Sequence, residues 1–230
     1  MNITYWSDYA CPYCYIGEAR LKKAIQELGR EDDVRLTMKA FQLDPGAPEK
    51  SNGTTLDRFA RKYGLSKDQA ADQIENISKM GREEGLEFNY AKTLFTNTMD
   101  AHRLTKYAYT KSLATADRLI EELFQAYFSD NLELADREVL VGAALKAGLS
   151  REETEELLDS DRFLEEVRQD ESDAARNGIH AVPFFVIGKY GVPGALPTDQ
   201  LKAVIEETLK EEESRQILPG MTCGPDGCDF

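Results

Sequence analysis

Four of residues 3–9 are apolar or aromatic, Ile3, Tyr5, Trp6 and Tyr9, which favours a buried strand. Residues 16–28 then place apolar side chains at helical spacing, and Gly29 suits the end of that helix. Residues 34–40 alternate apolar with charged or hydroxyl side chains, a pattern typical of a half-buried strand. The chain is therefore predicted to begin with a β-α-β unit.

Residues 54–173 carry an almost continuous helical pattern. Two helix starts show a serine with Gln or Glu three residues later, each after a glycine that suits the end of the preceding helix: Gly64, Ser66 and Gln69, then Gly148, Ser150 and Glu153. Asp136 is predicted to cap another helix. Asn97 and Thr98 are expected to open a helix whose apolar side holds Ala101, Leu104, Ala108 and Leu113.

The strand pattern returns at residues 182–187, and the glycines and proline of 188–194 predict a turn, with Val192 in a short edge strand. A last amphipathic helix is predicted to end at Pro219-Gly220. Because strands occur at both ends, we interpret the chain as one α/β domain, 1–47 and 176–218, interrupted by an all-α insertion, 48–175. Residues 219–230 form a short tail.

The formal net charge of −14 disfavours nucleic acid and anionic membranes as partners. The longest apolar stretch is too short to span a bilayer, and the first residues lack a basic and apolar leader, so we expect a cytoplasmic protein. The four cysteines fall into two pairs at opposite ends of the 230-residue chain. In a reducing compartment, paired cysteines are more often catalytic or metal-binding than structural.

The first pair lies in the sequence Cys11-Pro12-Tyr13-Cys14, between the first predicted strand and helix. A thiol at a helix N-terminus faces unpaired N–H groups and the positive end of the dipole, which can lower a cysteine pKa from ~8.5 to ~3.5–7.5. Pro12 suits the first helical turn, and Cys14 lies one turn on, within disulfide reach. The pattern predicts a redox dithiol, with half of a zinc site as the alternative.

A wider set of ordered motifs resembles the FrnE-like branch of the DsbA family, which is grouped with hydroxychromene-carboxylate isomerases and kappa-type glutathione transferases. The matching segments are Ser7-Asp8, Cys11-Pro12-Tyr13-Cys14-Tyr15-Ile16-Gly17, Phe41 with Leu43, Asn97-Thr98 with Ala101-His102-Arg103-Leu104, the aromatic segment 123–128 and the segment 178–187. The resemblance implies a thioredoxin fold with the helical insertion between its β-α-β and β-β-α halves. The isomerase and transferase relatives have serine where this chain has Cys11, so the dithiol favours disulfide exchange.

We expect Cys11 to be the exposed nucleophile and Cys14 to resolve the mixed disulfide. The resemblance implies that Pro183 is a cis-proline opposite the dithiol, which leaves the backbone of Val182 free to pair with a substrate chain. Pro12 and Tyr13 are expected to tune the dithiol and contact substrate. Three further residues are candidates for substrate contact: Asn97, which is otherwise a helix N-cap, His102 on the insertion, and His180, which is otherwise an exposed loop residue.

The second pair lies in the tail. The residues between the two cysteines, Gly224-Pro225-Asp226-Gly227, favour a turn that would bring Cys223 and Cys228 together. We interpret it as a second redox pair; a metal-binding tail and a passive disulfide are the alternatives.

The leading interpretation of function is a thiol–disulfide oxidoreductase, with isomerase activity on some substrates, that acts on protein or small-molecule disulfides and thiols. It requires no cofactor or metal, and glutathione is a candidate co-substrate. The alternatives are a glutathione-dependent isomerase or transferase for a small aromatic or polyketide-like substrate, and a metal-binding protein that uses both cysteine pairs. The sequence leaves the oligomeric state open, with a homodimer as one option.

Overall fold

A computed structural model describes residues 1–216. The first β-α-β unit consists of β1 (Asn2–Ser7), α1 (Pro12–Glu27) and β2 (Arg35–Ala40), and the chain closes with β3 (Phe184–Ile187), β4 (Tyr190–Pro193) and α9 (Thr198–Gln216). One four-stranded sheet has the order β2-β1-β3-β4, in which β1 is parallel to β2 and antiparallel to β3. The expected α/β fold of two half-units is confirmed.

Seven α-helices lie between β2 and β3 in the described chain. They are α2 (Thr55–Tyr63), α3 (Lys67–Glu83), α4 (Met99–Lys111), α5 (Leu113–Phe128), α6 (Arg137–Lys146), α7 (Arg151–Leu158) and α8 (Leu164–Arg176), and a short 3-10 helix spans Tyr90–Lys92. The large helical insertion is therefore present where the sequence predicts it. No helix of residues 1–216 is long and apolar enough to cross a membrane.

The sequence signals for helix ends are confirmed at most positions. Gly64 and Gly148 adopt positive φ, and Ser66, Asp136 and Ser150 accept hydrogen bonds from the first turns of α3, α6 and α7. Leu113 was expected on the apolar side of α4, and this is wrong. The helix ends at Lys111, and Leu113 begins α5 with 43% of its surface exposed.

Alternate residues of β1 point to two different cores. Ile3 and Tyr5 join the main core with Leu21 of α1 and Ile205 of α9. Trp6 faces the other side of the sheet, where it packs with Ala174 of α8 and Ile179. β1 is a central strand, since it pairs with β2 on one edge and with β3 on the other, and its carboxyl end leads directly into the Cys11 loop.

Candidate active site

Cys11 is the N-cap residue of α1, and Pro12 occupies the first helical turn as predicted. The loop that leads into it is a tight turn, since the Cys11 N–H donates to the Asp8 carbonyl at 3.1 Å and the Cys14 N–H donates to the Cys11 carbonyl at 3.1 Å. The Cys11 sulfur therefore lies at the end of a 16-residue helix where negative charge is favoured.

The expectation that Cys11 is exposed is wrong, because only 4% of its surface is accessible. Its Sγ lies 3.5 Å from the Val182 carbonyl oxygen and donates to it. Tyr90, from the helical insertion, is half-buried. Burial raises the Tyr90 pKa above its usual range, and the nearby Tyr127 and Cys11 raise it further. Val182, which contacts the sulfur, is 171 residues away along the chain, and the local pattern around Cys11 contains no sign of this contact.

Cys14 is more deeply buried, with 1% of its surface accessible. Burial raises the pKa of the Cys14 thiol well above its usual range, and the hydrogen bond and charge of Cys11 raise it further. Two neighbours act in the opposite direction: the Ser7 hydroxyl and the Asp8 N–H, whose nitrogen lies 3.5 Å from the Cys14 Sγ. Both thiols are free in the structure.

The peptide bond between Val182 and Pro183 is cis, as the resemblance implies. The Pro183 carbonyl accepts from the Gly194 N–H at 2.8 Å, so the turn after β4 supports this loop. Gly17 of α1 lies on the inner side of the loop, and a Cβ there would sit 3.0 Å from the Pro183 Cγ. The glycine therefore permits the close approach between α1 and the Val182–Pro183 loop.

The other residues predicted to contact substrate differ in how far they are exposed. Tyr13 is 41% exposed, Pro12 is buried beside it and Val182 is half-buried. His180 is an exposed loop residue, and no hydrogen bond joins it to either sulfur in residues 1–216.

Both polar atoms of the Asn97 side chain make hydrogen bonds within the protein. Its Oδ1 accepts from the Met99 N–H at 2.8 Å and from the Gln42 Nε2 at 3.2 Å, and its Nδ2 donates to the Pro45 carbonyl at 3.0 Å. The interpretation of Asn97 as the N-cap is wrong by one residue, because Thr98 is the N-cap of α4; the Asn97 Oδ1 nevertheless accepts from the first helical N–H, so Asn97 helps to fix the start of the helix.

His102 does not line an open cleft, because it is 1% exposed. Its Nε2 lies 3.5 Å from the Oδ1 of the equally buried Asp8, which immediately precedes the cysteine loop. Sequence analysis gave Asp8 no role. The available signal was an acidic residue at the end of an apolar strand, but its partner is 94 residues away along the chain.

The described residues contain no group of three or more His, Cys, Asp or Glu side chains that could hold a metal ion. Cys223 and Cys228 lie outside the described residues, so the interpretation of this pair stays a prediction. The dithiol loop, the cis-proline loop and the buried Asp8 thus form a compact site at the junction of sheet and insertion.

Comparison with known proteins places this fold and site in a family. Residues 2–206 match the DSBA-like thioredoxin domain model. The chain belongs to the DSBA-like thioredoxin domain family, whose members include thiol–disulfide oxidoreductases. The probable DsbA oxidoreductase SCO1869 from Streptomyces coelicolor is similar at 33% identity and a TM-score of 0.86, over 100% of this chain and 99% of that one.

Two more distant structures share the fold. A 2-hydroxychromene-2-carboxylate isomerase is 16% identical with a TM-score of 0.64, and the alignment covers 94% of this chain and 97% of the isomerase. The cytosolic disulfide reductase DsbM from Pseudomonas aeruginosa, solved with GSH, is 17% identical with a TM-score of 0.56, over 95% of this chain and 100% of DsbM.

Proposed function

We propose that the chain is a thiol–disulfide oxidoreductase in which Cys11 is the nucleophile and Cys14 the resolving thiol. One observation carries the proposal: Cys11 is the N-cap of α1 and its Sγ faces the Val182 carbonyl, one residue before the cis-proline. The helix end favours an anionic sulfur at this position. The Val182 backbone offers a partner for an extended substrate segment next to that sulfur.

The proposed reduction proceeds in two exchanges. The Cys11 thiolate attacks a substrate disulfide, forms a mixed disulfide and releases the first substrate sulfur as a thiolate. Cys14 then loses its proton and attacks the Cys11 sulfur, which releases the second substrate sulfur and leaves a Cys11–Cys14 disulfide. The substrate gains two electrons and the protein loses two. The same steps in reverse oxidise a substrate dithiol, and attack by a second substrate thiol rearranges disulfides.

The substrate class of the proposal is protein and small-molecule disulfides and thiols, with glutathione as co-substrate. The exposed Tyr13 next to the dithiol offers a contact surface for such substrates, as does the half-buried Val182, whereas the buried Pro12 acts through the dithiol loop. The net charge of −14 supports a protein without nucleic acid or anionic membrane partners. The proposal includes a cytoplasmic location, in which the reduced glutathione pool returns the dithiol to its reduced form.

Single-turnover reduction of glutathione disulfide by the reduced protein, whose dithiol supplies the two electrons, tests the assignment. All variants are made in a Cys223→Ser/Cys228→Ser background, in which only Cys11 and Cys14 remain of the four cysteines. We expect Cys11→Ser to abolish turnover, since an alcohol is a far weaker nucleophile than a thiolate. Cys14→Ser loses turnover through a different step, because a mixed disulfide forms and persists. Undiminished turnover by Cys11→Ser would falsify the assignment.

A further inference from the structure

The sequence contains two Asn-Gly dipeptides, Asn52-Gly53 and Asn177-Gly178. An asparagine followed by glycine is prone to cyclise, because glycine has no side chain to keep its nitrogen away from the asparagine side-chain carbon. Whether the ring closes then depends on how freely the nitrogen and the carbon meet. The two dipeptides share this chemistry, and the structure places them in different surroundings.

Hydrogen bonds at the end of α8 hold Asn177-Gly178. The Asn177 Nδ2 donates to the Asp173 carbonyl at 2.8 Å, and the Gly178 N–H donates to the Ala175 carbonyl at 3.1 Å. Both reacting groups are therefore engaged, and cyclisation requires that both hydrogen bonds break first.

Asn52-Gly53 lies in the loop before α2, where Asn52 is exposed. Neither the Asn52 side chain nor the Gly53 N–H has a hydrogen-bond partner within residues 1–216. The groups next to them are fixed, since the Ser51 N–H donates to Glu133 at 2.8 Å and the Ser51 hydroxyl donates to the Gly53 carbonyl at 2.6 Å. The reacting groups of this dipeptide are thus free within a loop that is fixed on both sides.

Positive charge surrounds the same loop. Asn52 and Gly53 line a cavity of about 180 Å³ together with Arg58 and Arg61 of α2 and with Asp44. The Arg58 guanidinium lies 4.0 Å from the Asp44 carboxylate, and Arg61 is exposed and forms no ion pair in the described part of the chain. Two guanidinium groups therefore face one carboxylate, and this excess stabilises an oxyanion that develops in the cavity.

Asp57 is another acidic group near the loop, and it is already paired. Its Oδ2 lies 3.5 Å from the position of a Cβ on Gly53 and accepts from the Thr54 hydroxyl at 2.9 Å. Its Oδ1 lies 2.8 Å from the Lys67 Nζ. The hydrogen bonds from Lys67 and Thr54 lower the Asp57 pKa to about 2. The paired carboxylate therefore does not cancel the charge of the two arginines.

We propose that Asn52 is a site of spontaneous deamidation, in which Arg58 and Arg61 stabilise the negative charge that develops. The Gly53 nitrogen attacks the Asn52 Cγ, the side-chain nitrogen leaves as ammonia with the Gly53 proton, and a succinimide ring closes. Water then adds to either ring carbonyl, breaks its bond to the Gly53 nitrogen and leaves aspartate or isoaspartate at position 52. Water is the one co-reactant, and the new carboxylate lies in the cavity with the two arginines. The reaction is independent of the disulfide chemistry.

Incubation of the folded protein at neutral pH, followed by peptide mass spectrometry, measures both dipeptides in one sample. Each conversion replaces an NH₂ group by an OH group. We expect Asn52 to convert at least about tenfold faster than Asn177, because the two hydrogen bonds that hold the second dipeptide contribute about 1 kcal/mol each. In urea, where neither dipeptide is held, the two rates should agree within about threefold.

The variant Arg58→Gln/Arg61→Gln tests the arginines. We expect conversion of Asn52 to slow by about threefold and that of Asn177 to stay unchanged, since exposed charges interact by up to about 1 kcal/mol. Arg137→Gln/Arg151→Gln is the matched control, because it removes the same charge from two exposed arginines that do not line the cavity.

Equal rates at Asn52 and Asn177 in the folded protein overturn the proposal, as does an Asn52 that stays unmodified while the chain in urea converts. An Arg58→Gln/Arg61→Gln variant that converts at the parent's rate overturns the role of the arginines. If that variant does not fold, salt gives the same test on the parent. Added sodium chloride must slow conversion of Asn52 and leave Asn177 unchanged, because it screens exposed charges.

Discussion

The two thiols of the site are both buried, yet their neighbours give them different chemistry. Cys11 lies at the helix end and faces the Val182 carbonyl, whereas Cys14 lies one turn inside and is surrounded by Cys11, Ser7 and the Asp8 N–H. Burial is the largest cause of the raised Cys14 pKa. In the proposed function Cys14 has to lose its proton only for the second exchange, after Cys11 has formed the mixed disulfide.

The raised pKa predicts the pH dependence of Cys14 alkylation. In a variant with Cys11, Cys223 and Cys228 all replaced by serine, the rate of carbamidomethylation by iodoacetamide follows the thiolate fraction of Cys14. In urea, the rate should level off above the ordinary cysteine pKa of ~8.5. In the folded protein it should keep rising at higher pH, because burial disfavours the thiolate. Mass spectrometry of the Cys14 peptide measures both curves, and coincident curves would contradict the account.

At the scale of single residues, the sequence predicts which side chains form the dithiol better than it predicts their burial and contacts. The dithiol, its helix N-terminus and Pro12 in the first turn all follow from adjacent residues. Cys11 burial and the Asp8–His102 pair do not, because they depend on contacts between β1, α4 and the loops around Val182 and Tyr90, which are distant in sequence.

At the scale of elements, a stack of aromatic rings packs the segment after α3 against α1, next to the dithiol. Phe88 stacks on Phe128 with ring centroids 4.7 Å apart and lies 6.0 Å from Tyr15, which follows Cys14 directly. Gly81, near the end of α3, leaves room for the Phe88 ring, since an added Cβ would lie 2.6 Å from its Cδ2. The helix therefore needs a glycine here for packing, not for backbone conformation.

Two glycine substitutions test this packing. Gly81→Ala gains about 1 kcal/mol of helix propensity but forces the buried Phe88 ring to move, at an overpacking cost of about 1–3 kcal/mol. We expect a net loss of up to about 2 kcal/mol in the free energy of unfolding. Gly142→Ala in α6 is the control, because no atom lies within 4 Å of its added Cβ, and it should stabilise by up to about 1 kcal/mol. Urea denaturation measures both, and a Gly81→Ala variant as stable as Gly142→Ala contradicts the packing account.

The caps of the helices could be predicted because serine, aspartate and glycine act on their own turns. The end of α4 could not, because residues 99–113 share one apolar pattern and the break at Ser112 is set by a new N-cap, whose hydroxyl accepts from the Thr115 N–H at 3.0 Å. The spacing of apolar residues thus shows where helices lie, but it does not show where one helix ends and a closely following one begins.

At the scale of the whole molecule, the helical insertion covers one edge of the sheet. The outer edge of β2 and the residues just after it donate to side chains of the insertion: the Met38 N–H to the Tyr109 hydroxyl at 2.7 Å, the Ala40 N–H to Asp170 at 2.8 Å and the Gln42 N–H to Glu171 at 3.2 Å. Asp170 also pairs with Lys106 and Lys39. These bonds satisfy an edge that would otherwise attract other strands, and they fix α4, the source of His102, against the sheet.

The order of elements and the position of the insertion could be predicted because strands and helices differ in the spacing of their apolar residues, and because glycine, proline and capping residues mark their ends. The way the insertion packs against the sheet could not, because it depends on side-chain bonds between segments more than 100 residues apart, such as Ala40 with Asp170. The division at 47–48 and 175–176 stays a prediction.

The measurement that tests the central claim most directly is a trapping experiment on Cys14→Ser with both tail cysteines replaced by serine. The protein is mixed with glutathione disulfide, quenched in acid, and examined by intact-mass and peptide mass spectrometry. The account predicts one glutathione per chain, attached at Cys11, that persists until a reductant is added. A Cys11 that stays unmodified while the parent protein turns over the same disulfide would contradict it.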